Sequence, residues 1–516
     1  MRRALVWCAL FGLVVAGCSS ATATSAPYPA ATDNYNHRPT AAATFAPAAT
    51  PYSWSTPLVV GTSAAVQFPN VGVNPYIDTT VDGDSTFGLD VDTASYTVAR
   101  KYVSDGNRPD QASVRVEEWV NYFDQGYAAP ESGAFAIHVD GGPTPFLSQS
   151  ETLLRIGVKA HETSASRRPS AALTLVIDVS GSMGDNDKLE MVKSSLRLLV
   201  DELRSDDRVG IVVFTSDARV VLEPTPGSDR EAILSAIGKL QPEANTNAEA
   251  GLRLGYQMAH SQFLEGGINR VVIATDGVAN TGNVDATAIL ETAGAGATSG
   301  IQLVAVGVGM GQYNDALLEQ LADKGDGFYA YVDTLDEARR IFVDELTTTL
   351  DTVAIDAKAQ VHFNSEAVAG YRLIGYEDRG LPDSSFRSPT AEGGAIGAGH
   401  SVTALYAVVL RSELQSNALL ATVNLRWTDP QTTRASEIAK DLYLGDLNSS
   451  FMAADSHFKL DSLVAATAEV LRNSPWIPGY RIADVRSEAA QLTLQLPETA
   501  DARDFLNMLD QMSRLD

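Results

Sequence analysis

Cysteine is almost missing from this chain: there are two in 516 residues, Cys8 and Cys18, both within the first 20. Beyond residue 18 there is no disulfide framework, no thiolate nucleophile and no cysteine metal ligand. Basic charge is scarce as well, with 38 Lys+Arg against 64 Asp+Glu and a formal net charge of −26. That balance excludes sequence-independent nucleic-acid binding, because the field repels phosphate. The histidines of the body of the chain (His138, His161, His260, His362, His400 and His457) are scattered, with no H-E-x-x-H pair, so a zinc peptidase is unsupported. Gly181-Ser182-Met183-Gly184 lacks the spacing of a nucleophile elbow, which leaves Ser182 more useful as an oxygen ligand than as a nucleophile. Nor is any apolar run long enough to span a bilayer. What is present is 45% hydrophobic composition, enough for real cores, over a length of about three domains.

The first 17 residues combine Arg2 and Arg3, an apolar run from Ala4 to Ala16 and small residues before Cys18, the pattern of a secretory signal. Val15-Ala16-Gly17-Cys18 resembles the bacterial lipobox, which implies a lipoprotein signal peptide over 1–17 and a lipidated Cys18 as the mature N-terminus. From Ser19 to Thr50, 24 of 32 residues are Ala, Thr, Pro or Ser. Such a stretch cannot bury a core, and residues 18–75 read as a flexible tether. The expected location is therefore outside the cytoplasm, lipid-anchored to a bacterial membrane.

From residue 169 to 350, short β-rich runs alternate with amphipathic helical runs. The strand candidates are Leu173 to Val179, Val209 to Phe214, Arg270 to Thr275, Ile301 to Val308 and Phe328 to Val332; their near-continuous apolarity predicts a parallel sheet covered on both faces, a doubly wound α/β domain. Its last helix, Leu335 to Leu350, places Leu335, Ala338, Phe342, Leu346 and Leu350 on one face. Strand patterns recur on both sides, over 131–168 and 351–430, and are most simply one antiparallel β domain into which the α/β domain is inserted, although a separate all-β domain after residue 351 would read the same way. Residues 76–130 and 431–516 read as helical extensions.

The chemistry sits where the first α/β strand ends, at Asp178-Val179-Ser180-Gly181-Ser182. Ligands of open parallel sheets bind outside the carboxyl ends of strands. One carboxylate and two hydroxyls on alternate residues of a turn can share one small space, and hard oxygens suit Mg²⁺, Mn²⁺ or Ca²⁺. Asn245-Thr246-Asn247 and Thr275-Asp276-Gly277 are further loops at the same edge. D-x-S-x-S, a separated Thr and T-D-G in strand order resemble the metal-ion-dependent adhesion site of von Willebrand factor type A (VWA) domains, on Asp178, Ser180, Ser182, Thr246 and Asp276.

The resemblance reaches from about residue 85 to 516. Leu89-Asp90-Val91-Asp92-Thr93-Ala94-Ser95-Tyr96, Tyr371-Arg372-Leu373-Ile374-Gly375-Tyr376-Glu377 and Ile396-Gly397-Ala398-Gly399-His400 look like the N-terminal extension and the C-terminal domain of unknown function in a bacterial family of VWA lipoproteins. It implies a non-enzymatic, Mg²⁺-dependent module that captures a protein through an Asp or Glu of that partner. A scaffold of the envelope with a fold-stabilising metal, and a metal-dependent hydrolase, are the alternatives. Asp185, Asn186 and Asp187, and separately Asp82, Asp84, Asp90 and Asp92, read as solvated turns and caps rather than cation sites.

Overall fold

A computed structural model describes residues 68, 71–163, 168–243, 245–277, 286–309, 314–344, 351–388, 391 and 393–515. The signal segment, Cys18 and most of the expected tether lie outside the described residues. By Asn74 the chain is already tied down: its side-chain amide donates to the carbonyls of Leu373 (3.2 Å) and Gly375 (2.8 Å).

Four strands come first: β1 (Ile77–Asp78), β2 (Asp84–Gly88), β3 (Phe135–Gly142) and β4 (Glu151–Ala160). Six then build the α/β domain: β5 (Ala171–Asp178), β6 (Arg208–Phe214), β7 (Ala218–Pro226), β8 (Ile268–Thr275), β9 (Gln302–Val308) and β10 (Phe328–Val332). Seven follow: β11 (Thr352–Phe363), β12 (Val368–Ile374), β13 (Gly380–Leu381), β14 (Gly394–Gly397), β15 (Ser401–Leu410), β16 (Leu419–Thr428) and β17 (Ala435–Tyr443).

The α/β sheet runs β10-β9-β8-β5-β6-β7, parallel except for β7. Alternate residues of β5 go to opposite sides: Leu173, Leu175 and Ile177 join one core with Leu196 and Ile233, while Val176 joins another with Leu252 and Leu318. Strand order reverses at β5, whose carboxyl end lies between those of β6 and β8, so the switch point of the sheet falls at Asp178. The doubly wound fold expected from the alternating runs is present. One strand was not expected. β7 carries Pro224 and Pro226 and is half exposed, and proline is confined to edge strands because it donates no ladder hydrogen bond.

The flanking strands form two antiparallel sheets, β1-β12-β15-β4-β3 and β13-β2-β11-β16-β17. Leu154, Ile156, Val158, Val361, Phe363, Tyr406 and Leu425 fill the space between them. β4, before the α/β domain, pairs with β15 after it, from Glu151↔Val409 to Lys159↔Ser401. The outer side of the first sheet, through Leu153, Leu405 and Ala407, packs under Ser456–Leu471 and the neighbouring helices.

The two extensions read as helical contain strands as well. β1 and β2 lie within 76–130, and β17 within 431–516. The first two are too short to show a period, and β17 is an edge strand with only Leu442 buried, so neither carries an apolar alternation. Within 76–130 the helix comes in pieces, Ala94–Ser104, one turn at Gln111–Ser113 and Val116–Asn121, with Pro109 in the gap. Ile482–Leu492 is a further helix. The last α/β helix begins at Leu335, which is 53% exposed rather than on the buried face, and changes from α to π geometry at Arg340. Leu346 and Leu350 lie outside the described residues.

The Ala94–Ser104 helix is buried on two sides. Ala94 and Val98 enter the α/β core, whereas Tyr96, Ala99 and Val103 enter the helical layer with Trp119, Phe123 and Phe505. Arg100 on this helix holds Asp333 with two nitrogens, at 2.7 and 2.6 Å, and Glu337 at 2.9 Å. The extension thus grips the start of the last α/β helix.

Candidate metal centre

β5 delivers Asp178 to the carboxyl edge of the sheet, fully buried. Val179 and Ser180 leave the strand, a 3₁₀ stretch follows, and the Lys188–Glu202 helix begins after two left-handed residues, Asn186 (φ 50°) and Asp187 (φ 58°). Asn and Asp are the non-glycine types that tolerate this region best. The reversal folds the hydroxyls back over Asp178. The Ser180 N–H donates to Asp178 Oδ1 at 2.8 Å, and the Thr275 hydroxyl donates to Oδ2 at 2.7 Å.

Ser180 Oγ and Ser182 Oγ stand 3.1 Å apart, and Ser182 Oγ donates to Asp276 Oδ1 at 3.1 Å. Asp178, Ser180, Ser182 and Asp276 are therefore brought into one continuous patch of oxygen. Ser182 is exposed at its mouth, and the other three are buried. Thr246 is 7% exposed on the loop before the Ala248–Ser261 helix. That loop is held by Asn245, which donates to Ser216 Oγ at 2.8 Å, and by Asn247, whose Oδ1 accepts the Ala250 N–H at 3.1 Å. Gly251 lets the helix close on β6, since a Cβ there would lie 2.6 Å from the Phe214 ring.

Burial pushes the Asp178 carboxyl up to about 6, against the pull of the Thr275 and Ser180 hydrogen bonds. A carboxylate placed this way gains from a cation beside it. Among the described residues no group of three or more His, Cys, Asp or Glu is disposed to hold a metal. The present set fits a hard cation differently, with two carboxylates and the remaining oxygens from hydroxyls, a composition suited to Mg²⁺ or Mn²⁺ and unsuited to zinc.

Two residues at the site were given no role from sequence: Thr275, named only within its T-D-G loop, and Lys188. Thr275 orients Asp178 and also accepts the Gly277 N–H at 3.1 Å. Lys188 donates to Asp276 Oδ2 at 2.7 Å, with both side chains 7% exposed. A signal for Lys188 did exist, because a lysine opening a helix opposes the macrodipole. Of the acidic residues read as turns and caps, Asp82 Oδ1 accepts the Asp84 N–H and Asp90 Oδ1 the Asp92 N–H, as turns do, but Asp90 and Asp92 are buried and none of them caps the Ala94–Ser104 helix; Asp92 Oδ1 instead accepts the Tyr329 N–H at 2.8 Å and ties the extension to β10. Asp185, Asn186 and Asp187 are exposed.

Comparison with known proteins gives three family models along the chain. Residues 172–344 match the von Willebrand factor type A domain, 62–155 match a von Willebrand factor model, and 348–515 match the C-terminal region of the uncharacterized protein YfbK. The YfbK protein of Escherichia coli (strain K12) is 34% identical over 475 residues, covering 87% of this chain and 81% of that protein. The uncharacterized protein sll0103 of Synechocystis sp. is 34% identical over 203 residues, 39% of this chain and 46% of that protein. A solved von Willebrand factor type A structure from Catenulispora acidiphila is 15% identical with a TM-score of 0.43, covering 73% of this chain and 89% of that one. VWA domains commonly bind divalent metal ions and are in general interaction and adhesion modules rather than enzymes. The chain belongs to the bacterial family of YfbK, built around a von Willebrand factor type A domain.

Proposed function

We propose that this protein is a metal-dependent binding module of the bacterial envelope, anchored by lipid at Cys18, that captures a partner protein through one of its Asp or Glu side chains. Asp178, Ser180, Ser182, Thr246 and Asp276 would hold the cation, Mg²⁺ with Mn²⁺ or Ca²⁺ as substitutes. The observation that carries this reading is the chain of hydrogen bonds at the switch point of the sheet, from Asp178 to the Ser180 N–H and from the Ser180 hydroxyl through Ser182 to Asp276. When bound, the cation supplies an electrophilic position for a further carboxylate and inverts the sign of the local field. The protein's part is geometric. Thr275 and the Ser180 N–H fix the Asp178 carboxylate, and the exposed Ser182 marks the face from which a partner approaches. Among the described residues, Asp276 is held by Lys188 and Ser182 and Asp178 by Thr275, an arrangement that favours holding a cation.

The test is capture of envelope proteins by the purified chain in Mg²⁺, in EDTA and with Asp178→Ala. Partners lost in both controls, with the variant still folded, are the expected result. Partners retained in all three would place recognition on the flanking domains and make the chain a scaffold. Metal-dependent turnover of an ester, peptide or phosphate substrate would replace the binding reading with a hydrolytic one.

A further inference from the structure

Lysine is almost never buried without a partner, and at the first position of a helix its charge also opposes the macrodipole. Lys188 combines both disadvantages, being 7% exposed at the start of Lys188–Glu202. Its path has been cleared for it. Gly309, just past β9 with φ 71°, leaves bare the surface over which the lysine stem runs; a Cβ there would lie 2.5 Å from Cε, 2.6 Å from Cδ and 2.8 Å from Cγ. The stem ends with Nζ on Asp276 Oδ2 at 2.7 Å, while Asp276 Oδ1 stays with Ser182 at 3.1 Å.

We infer that Lys188 is a positioning residue that sets both the orientation and the charge of the metal centre, holding back the outer oxygen of Asp276 so that the loaded site keeps a net positive charge for the partner's carboxylate. The inference rests on the metal-dependent reading above and deepens it. Counted by formal charge, two aspartates and one lysine give the protein's side of the site one net negative charge. A divalent cation makes the site positive by one, and a single partner carboxylate brings it to neutrality. Without the lysine charge the loaded site is already neutral, so a carboxylate gains little on arriving, while the cation itself is held more firmly.

The experiment compares the full chain with Lys188→Gln, which keeps a donor for Asp276 but no charge, and with Lys188→Met. Mn²⁺ binding is titrated by calorimetry. Acetate, as the carboxylate probe, is then titrated against the water-proton relaxation of the bound Mn²⁺. The expected result is a Kd for Mn²⁺ that falls about tenfold and an acetate half-saturation that rises about tenfold in Lys188→Gln. A merely structural lysine would weaken both together with the melting temperature, and that outcome overturns the inference, as does an unchanged Mn²⁺ affinity in a folded variant. If the unaltered chain binds no Mn²⁺, the metal-dependent reading fails and this inference falls with it. If the unaltered chain binds Mn²⁺ and the variants match it, only the inference fails.

Discussion

Replacing Asp178 with asparagine should make the metal-free protein more stable, although it destroys the proposed site. Asp178 is fully buried, and burial raises its carboxyl from an ordinary 3.8 to about 6. At 1.36 kcal/mol for each pH unit, ionising this group inside the fold at pH 7 or above costs about 3 kcal/mol. The folded state binds the proton more tightly than the unfolded chain, so the stability that protonation confers is full below 3.8 and is lost as pH rises through 6. Asparagine fills the same volume and does not ionise. Its oxygen still accepts the Ser180 N–H, but its amide nitrogen faces the Thr275 hydroxyl, which now donates to Asp178. Rearranging that bond returns about 1 kcal/mol. In EDTA at pH 7.5, Asp178→Asn should therefore exceed the unaltered chain by about 2 kcal/mol, read by urea unfolding together with hydrogen exchange in β5 and β8. Excess Mg²⁺ should stabilise only the unaltered chain, so the order narrows or reverses. A variant less stable than its parent in EDTA, or one that gains equally from Mg²⁺, would refute the reasoning.

Two further outcomes are expected. Arg100→Ala removes the guanidinium from Asp333 and Glu337, whose side chains are 3% and 1% exposed, and should cost about 3 kcal/mol, the usual scale for breaking a buried pair. Exchange should quicken at Leu335–Arg339 and in Ala94–Ser104; unchanged protection there would show that the extension does not hold the last α/β helix. Asp461 is raised to about 6 by burial, even with Arg155 at 3.0 Å and Gln125 at 2.8 Å. Its contribution is full below 3.8 and is lost as pH rises through 6, so Asp461→Asn should flatten the dependence of melting temperature on pH between 4 and 7; an unaltered slope would count against it.

The recognisable parts of this protein are those whose physics is local. β5, β6, β8, β9 and β10 are short apolar runs, buried on both faces, and show in the sequence because, apart from Arg208 and Gln302 at the strand starts, their residues are buried. Asp178, Ser180 and Ser182 lie within one turn, so their spacing alone puts their oxygens together. Elements whose burial is slight left no such trace: β7 and β17 are edges with most of their residues partly or fully exposed.

By itself the sequence determined the α/β alternation, the oxygen-rich turn at its first strand end and the acidic balance, since each follows from neighbours in the chain or from composition. Only the tertiary structure decided which strand beyond the insertion β4 takes as its partner, namely β15, that Arg100 grips Asp333, and that Thr275 and Lys188 complete the surroundings of Asp178 and Asp276. These partners are separated by 97, 88 or more residues along the chain, and at such distances nothing in local propensity selects one partner over another. The choice is made by shared cores and by buried charges that need a counter-charge within reach.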